Sequence, residues 1–226
     1  MIATPRSAEV GAYFDSAAST YDTARGAGWY RAHAELVLNL AGNLPPSARL
    51  LDVGCATGYL LRHAASCNPG IAGVGIDMSA RMVEAAREAS AGLPGLRFFH
   101  GDWEHPEDPA QAEWAKDGFD LVTCLSCAHY FAAPEEAFRR MKRILRPGGR
   151  LIVLERDQDG SHATRMLGFL HRHILRDGVR FYGAADLLQM LRTAGFLHAE
   201  VLMRLRRIAW KGKLVTSLAI VSAQAD

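Results

Sequence analysis

The chain reads as an α/β protein: a doubly wound, mostly parallel sheet of seven strands with helices on both faces, closed by an antiparallel C-terminal hairpin. Three observations predict this. Short apolar runs alternate with segments of helical period between residues 49 and 155. Glycine or proline turns punctuate them, as at Gly54, Asn68-Pro69-Gly70 and Pro147-Gly148-Gly149. The last two β-rich runs, 199–209 and 214–223, are joined only by Trp210-Lys211-Gly212-Lys213. Parallel neighbours need crossovers, whereas so short a connection reverses the chain.

The elements follow in order. Residues 8–24 set Tyr13, Phe14, Ala17, Ala18 and Tyr21 among polar residues, which predicts one or two short helices. A longer helix carries Ala32, Leu36 and Leu40 and stops at Pro45-Pro46. The five strands of the repeating part are 49–53, 71–76, 96–99, 119–124 and 151–154, with helices at 58–66, 79–91 and 134–145. After residue 155 the rhythm breaks. A polar stretch rich in Arg and His fills 156–183, and a helix spans 184–194 before Gly195. The chain therefore divides into an N-terminal helical cap (1–45), a core (46–155), an insertion (156–183) and a C-terminal helix with hairpin (184–226).

Composition narrows the function classes. With 226 residues, 49% apolar and 22% charged, the chain suits one globular domain. A net charge of +2 is too small to argue for nucleic acid, and the basic run Arg204, Arg206, Arg207, Lys211, Lys213 reads as a solvated strand face. No apolar run approaches the ~20 residues of a membrane span, and the start lacks the pattern of a secretory signal. Four cysteines (Cys55, Cys67, Cys124, Cys127) do not make a disulfide framework, so the expected compartment is the cytoplasm.

The segment Leu50-Leu51-Asp52-Val53-Gly54-Cys55-Ala56-Thr57-Gly58 runs a buried strand into a glycine turn and then a helix. Gly54 adopts angles closed to other residues and lets a ligand approach the main chain. The helix that follows points unpaired N–H groups at whatever sits there. Asp52 either fixes the loop or faces a cationic ligand group. A dinucleotide fingerprint needs glycine where Ala56 stands, which opposes NAD or FAD. Asp77 ends the second strand, where a carboxylate serves ribose hydroxyls or caps the next helix, a role Ser79 fills equally well. Gly101-Asp102-Trp103 ends the third strand, with Trp103 a stacking surface or simple packing.

Together these segments, with Leu145-Arg146-Pro147-Gly148-Gly149-Arg150-Leu151 before the fifth strand, resemble class I S-adenosylmethionine-dependent methyltransferases over about residues 49–155. Ala56 departs mildly from the family's glycine. The resemblance implies a Rossmann-like fold and S-adenosyl-L-methionine as cofactor. It implies contacts from Tyr21, Asp52, Gly54, Cys55, Ala56, Gly58, Asp77, Met78, Asp102, Trp103 and Leu125. Asp77 would hold the ribose, Met78 the adenine, and Asp102 the adenine amino group. The N-terminal Tyr13-Phe14-Asp15, Ala18 and Tyr21-Asp22 are similar to the opening of quinone, biotin-precursor and natural-product methyltransferases, where that segment folds over the cofactor. Tyr13, Tyr21, Trp29 and Tyr30 are thus either lid residues or a docked helix.

After the fourth strand comes Cys124-Leu125-Ser126-Cys127-Ala128-His129-Tyr130, without the proline pair of nucleic-acid amino methyltransferases. This resembles the small-molecule branch, in which His129 is the candidate general base, an acceptor-orienting group, or a rim histidine satisfied by a carbonyl. Cys124-x-x-Cys127 lacks the second pair that zinc sites of that spacing need, His162, His171 and His173 lack a carboxylate at helical spacing, and no metal is expected. The insertion offers Arg172, Arg176 and Arg180 to an anionic acceptor. The expected activity is methyl transfer to a small molecule on O, N, S or C. The rivals are an RNA or protein methyltransferase, a nicotinamide-dependent reductase and a non-catalytic cofactor binder.

Overall fold

The computed structural model describes residues 7–23, 27–105, 113–160, 162–175, 179–210 and 213–226. Arg176, Lys211 and the side chains of Arg172, Arg206, Arg207 and Lys213, which carried sequence expectations, lie outside the described residues.

Seven strands form one sheet in the order β3-β2-β1-β4-β5-β7-β6. β1 (Arg49–Val53), β2 (Ala72–Asp77), β3 (Leu96–His100), β4 (Phe119–Leu125) and β5 (Leu145–Arg156) are mutually parallel. β7 (Lys213–Gln224) inserts between β5 and β6 (His198–Trp210) and runs antiparallel to both. The order reverses direction between β1 and β4, so a crevice opens at their carboxyl ends.

Alternate residues of each strand feed opposite faces, which is why the central strands read as unbroken apolar runs. Leu51, Val53, Val122, Val153 and Val221 pack with Phe138 and Met141 of α5 (Pro134–Arg143) and Leu187 and Leu191 of α7 (Ala184–Thr193). Leu50, Leu121, Ile152 and Ile220 pack with Val37 of α2 (Ala27–Ala41), Leu61 of α3 (Tyr59–Cys67) and Val83 of α4 (Ala80–Ala89). The helix starts follow local rules: Ser79 Oγ accepts from Met82 N–H at 3.1 Å to cap α4, and proline opens α5.

The N-terminal segment is a single helix, α1 (Ser7–Tyr21), one of the two forms expected. Two expectations change in detail. β5 starts before Pro147-Gly148-Gly149, which the sequence marked as a turn. Leu145 pairs with Phe119, the register shifts, and pairing resumes at Arg150 with Leu121. A Cβ on Gly149 would stand 2.7 Å from Phe119 O, so glycine lets the strand bulge here without leaving β4. The insertion carries α6 (His162–Leu170), continued by a π turn over His171–Leu175, and is tied off by a bridge between Asp157 and Tyr182. Arg204 of β6 donates to the buried carboxylate of Asp157 at 2.7 Å, so this member of the basic run serves an internal ion pair. Among the described residues no helix is long and apolar enough to cross a membrane.

Candidate functional site

The crevice at the strand ends is one cleft in two connected parts. The larger is lined from the sheet by Val53, Gly54, Ile76, Asp77, Met78, Gly101, Trp103, Leu125 and Arg156. The cap closes it with Val10, Phe14, Tyr21, Trp29 and Tyr30, and the segment after β4 with Ser126, Cys127, His129, Tyr130 and Phe131. The smaller part holds Asp22, Arg31, Asp52, Cys55 and Thr57 and shares Tyr21, Tyr30, Gly54, Ala56, Leu125 and Ser126 with the first.

The turn between β1 and α3 shapes the floor. Gly54, Ala56 and Gly58 all have positive φ (75°, 45° and 77°). A Cβ on Gly54 would lie 2.7 Å from Cys127 Sγ, so glycine is required for Cys127 to approach the main chain there. Ala56 holds a left-handed conformation that costs an alanine about 1–2 kcal/mol. Its N–H is fixed by Asp77 Oδ2 at 2.8 Å, and Asp77 Oδ1 accepts from Ser79 N–H at 2.9 Å. Asp77 therefore ties the two loops together while Ser79 does the capping, and the carboxylate keeps lone pairs toward the cleft. Burial raises its pKa, against the two backbone bonds that lower it.

Asp52 is almost wholly buried and accepts from Thr123 Oγ1 at 2.7 Å. Burial pushes its pKa up to about 7, the Thr123 bond opposing the rise and Asp77 adding to it. Among the described residues no cation neutralises it. Trp103 is held by a bond from its indole N–H to Ala137 O at 3.1 Å.

Two expected ligand contacts lie outside the cleft lining. Gly58 packs against β3, where its Cβ would stand 2.6 Å from the Phe98 ring. Asp102 turns to Glu104 N–H (2.9 Å) and the His105 ring (3.1 Å). Gly58→Ala is accordingly expected to destabilise the fold by about 2–4 kcal/mol, from left-handed strain and overpacking. Urea unfolding checks this; wild-type stability would contradict the packing role.

The cap is latched to both loops. Ser79 Oγ and Arg81 N–H donate to Asp15 Oδ1 at 2.6 and 3.0 Å, and Thr57 Oγ1 donates to Asp22 Oδ1 at 2.9 Å. Tyr21 and Tyr30 stack at 5.4 Å. Tyr13, at 66% exposure, does not line the cleft, and Phe14 lines it instead.

His129 stands on a short 3₁₀ turn after β4, its side chain buried in the wall. Its Nδ1 is 2.8 Å from Glu155 Oε2 and its backbone N–H donates to Glu155 Oε1 at 3.3 Å. Glu155, near the end of β5 and 1% exposed, fixes the tautomer with the proton on Nδ1 and leaves Nε2 as acceptor. This is not a rim histidine on a carbonyl. Glu155, Arg156, Phe14 and Ser126 were not marked by sequence; the available signal was the acid–base pair Glu155-Arg156 closing an apolar parallel strand. Arg180 N–H bonds His129 O at 3.2 Å.

A family model for a methyltransferase domain matches residues 26–200. The chain is 38% identical to nocamycin O-methyltransferase of Saccharothrix syringae over 61% of this chain and 48% of that protein. It is 30% identical to the U6 snRNA methylphosphate capping enzyme Amus of Drosophila melanogaster over 58% of this chain and 49% of that protein. The chain thus spans about half the length of these curated relatives. Among solved structures it is similar to the cyclase SpnF, with a TM-score of 0.73 at 22% identity, covering 98% of this chain and 97% of that one. Fold, glycine turn and matched residues together establish that the chain belongs to the methyltransferase-domain family, in the class I S-adenosylmethionine-dependent group.

Proposed function

We propose that this chain methylates a small-molecule acceptor, using S-adenosylmethionine held in the cleft at the ends of β1, β2 and β4. The observation that carries the reading is a single cleft in which two buried carboxylates, Asp52 and Asp77, flank the bare backbone of Gly54 and share the space with His129. The residues fit the cofactor: Asp52 is a buried acid in want of a cation, and Asp77 keeps acceptor capacity for ribose hydroxyls. When bound, S-adenosylmethionine supplies a methyl group already activated by its sulfonium.

The chain's own work is then placement. Gly54 and Ala56 admit the amino-acid portion against the main chain, with Asp52 facing its ammonium group. Met78 and Trp103 flank the adenine, and Asp77 orients the ribose. The latched cap, through Phe14, Tyr21 and Tyr30, covers the cleft and excludes water, and proximity contributes most of the acceleration. His129 takes the proton of an acceptor hydroxyl on Nε2, and Glu155 stabilises the resulting imidazolium. Gly58 and Asp102 act as scaffold in this account.

The covered, aromatic cleft and the weak net charge support a small acceptor, as does the likeness to nocamycin O-methyltransferase. The capping enzyme Amus is the relative that favours RNA. Following S-adenosylhomocysteine release over phenols, carboxylic acids, amines and RNA 5′ ends separates the two. Turnover of a small acceptor is expected, and turnover of RNA alone would overturn the acceptor class. The likeness to SpnF supports a second reading, cleft chemistry other than methyl transfer, because fold does not fix reaction. Product formation without S-adenosylhomocysteine release would select it.

The raised pKa of Asp52 yields a prediction with a definite sign. Its folded value, about 7, lies above its ordinary 3.8. The group's contribution to stability is full below pH ~4 and is lost as pH rises through ~7. A ligand ammonium reverses the preference and favours the carboxylate. Cofactor affinity is therefore expected to rise with pH through ~7, with proton release on binding below it. Asp52→Asn is expected to stabilise the unliganded chain at pH 8 by about 1–3 kcal/mol and to weaken cofactor binding about 10- to 100-fold. Calorimetry in buffers of different ionisation heat checks the proton release; pH-independent affinity would remove Asp52 from the contact.

A further inference from the structure

The larger part of the cleft contains a cation that the cofactor reading does not use. Arg156 ends β5 half-buried, directly after Glu155, and lines the cleft. Its guanidinium lies over the Phe181 ring at 5.3 Å, and no hydrogen bond or ion pair holds it among the described residues. The nearby carboxylates are committed elsewhere. Both oxygens of Glu155 take His129, and both oxygens of Asp77 take backbone N–H groups.

The smaller part of the cleft has its own cation, Arg31, which donates to Asp22 O at 3.1 Å and lies over the Tyr59 ring. With Asp52 lining the same part, the zwitterionic end of the cofactor has charged neighbours of its own there, and Arg156 is left over. Among the described residues, it is the only Arg or Lys lining the larger part.

Its surroundings are flat and aromatic. The buried Phe181 ring neighbours both functional groups, 6.0 Å from the His129 ring and 5.3 Å from the Arg156 guanidinium. Tyr130 lies against His129 at 4.2 Å, and Phe14 of the cap meets Tyr130 edge-on at 5.9 Å. The guanidinium fork matches a carboxylate in two hydrogen bonds, and aromatic walls favour a planar body. An uncompensated cation among aromatic rings gains most from an anion that arrives with its own apolar surface.

We propose that Arg156 is an anion subsite next to His129, and that the acceptor is a planar conjugated carboxylate. This rests on the methyltransferase reading only in calling the ligand an acceptor; the subsite itself is tested by binding. The probes are 3-hydroxy-2-naphthoate and its neutral isostere 3-hydroxy-2-naphthamide, followed by fluorescence titration of the full chain with and without saturating S-adenosylhomocysteine.

The wild type is expected to bind the carboxylate at least about tenfold tighter than the amide, the value of a charge-assisted bond. Arg156→Gln should bring the two within about threefold, Arg156→Lys should keep part of the preference, and Arg180→Gln should keep all of it. Affinity for S-adenosylhomocysteine should be unchanged in every variant. No carboxylate preference in the wild type, or a preference that survives Arg156→Gln, overturns the subsite. A preference lost with Arg180→Gln assigns the anion to the insertion and also overturns it. Loss of S-adenosylhomocysteine affinity in Arg156→Gln makes Arg156 a cofactor ligand and overturns it too. Failure of the wild type to bind S-adenosylhomocysteine at all counts against the function proposed above, while the matched probes still read Arg156.

Discussion

His129→Ala is expected to lower single-turnover methyl transfer by about 10²–10⁴-fold at unchanged cofactor affinity. The size follows from the wall of the cleft. His129 is buried, and Glu155 Oε2 sits 2.8 Å from its Nδ1, so the neutral ring has one lone pair, on Nε2, for an acceptor proton. The comparison is made with cofactor saturating so that Asp52 stays ionised. Glu155→Gln should retain the ring's position through an amide oxygen while losing the charge that stabilises the imidazolium. It should therefore fall between wild type and His129→Ala. An acceptor that is a neutral amine or an activated carbon would need no base, and proximity would then carry the rate. A His129→Ala variant within threefold of wild type, about 0.7 kcal/mol, from pH 5.5 to 9 would remove His129 from the mechanism.

Asp77→Ala is expected to weaken S-adenosylmethionine binding tenfold to more than a hundredfold, as loss of a charged hydrogen bond at about 1.5–3 kcal/mol implies. In sequence Asp77 is a strand-end acid that fills no core volume, so its removal looks harmless to the fold. Its bonds argue otherwise. Without it the N–H groups of Ala56 and Ser79 lose their acceptor, and Ala56 loses what holds it at a φ of 45°. Each orphaned group costs about 1–3 kcal/mol if it stays dry. The variant should thus unfold at lower urea as well as bind poorly. Asp77→Asn, which keeps one acceptor oxygen, should recover part of the stability and less of the affinity. Unchanged affinity in a folded variant would contradict the ribose assignment.

Much of this architecture was legible in the sequence because it is written locally. Apolar runs of strand length, glycine turns and a short hairpin connection each carry their own signal, and the alternation of strand with helix implies a parallel sheet. The glycine turn at Gly54 was legible for the same reason. What escaped depends on contacts far apart in the chain. Glu155 reaches His129 across 26 positions, and the local pair Glu155-Arg156 does not say which residue it meets. Arg156 acquires its meaning only because Glu155 and Asp77 are already taken. Gly58 looked like part of the ligand loop until β3 brought Phe98 beneath it. In the cap, helical period explains the exchange of Tyr13 for Phe14: Val10, Phe14 and Tyr21 share one face of α1, and Tyr13 falls on the flank. The bulge in β5 was hidden because Pro147-Gly148-Gly149 has the composition of a turn whether or not pairing resumes beyond it.

The central claim is that the cleft beside Gly54 holds S-adenosylmethionine through Asp52 and Asp77. Calorimetric titration of the full chain with S-adenosylhomocysteine, NADH and adenosine tests it most directly. The account predicts one site for S-adenosylhomocysteine, with a raised melting temperature through mass action, and no response to NADH. Adenosine, which lacks the amino-acid end, should bind far more weakly, and the difference should shrink in Asp52→Asn. Binding of NADH with no heat from S-adenosylhomocysteine would contradict it.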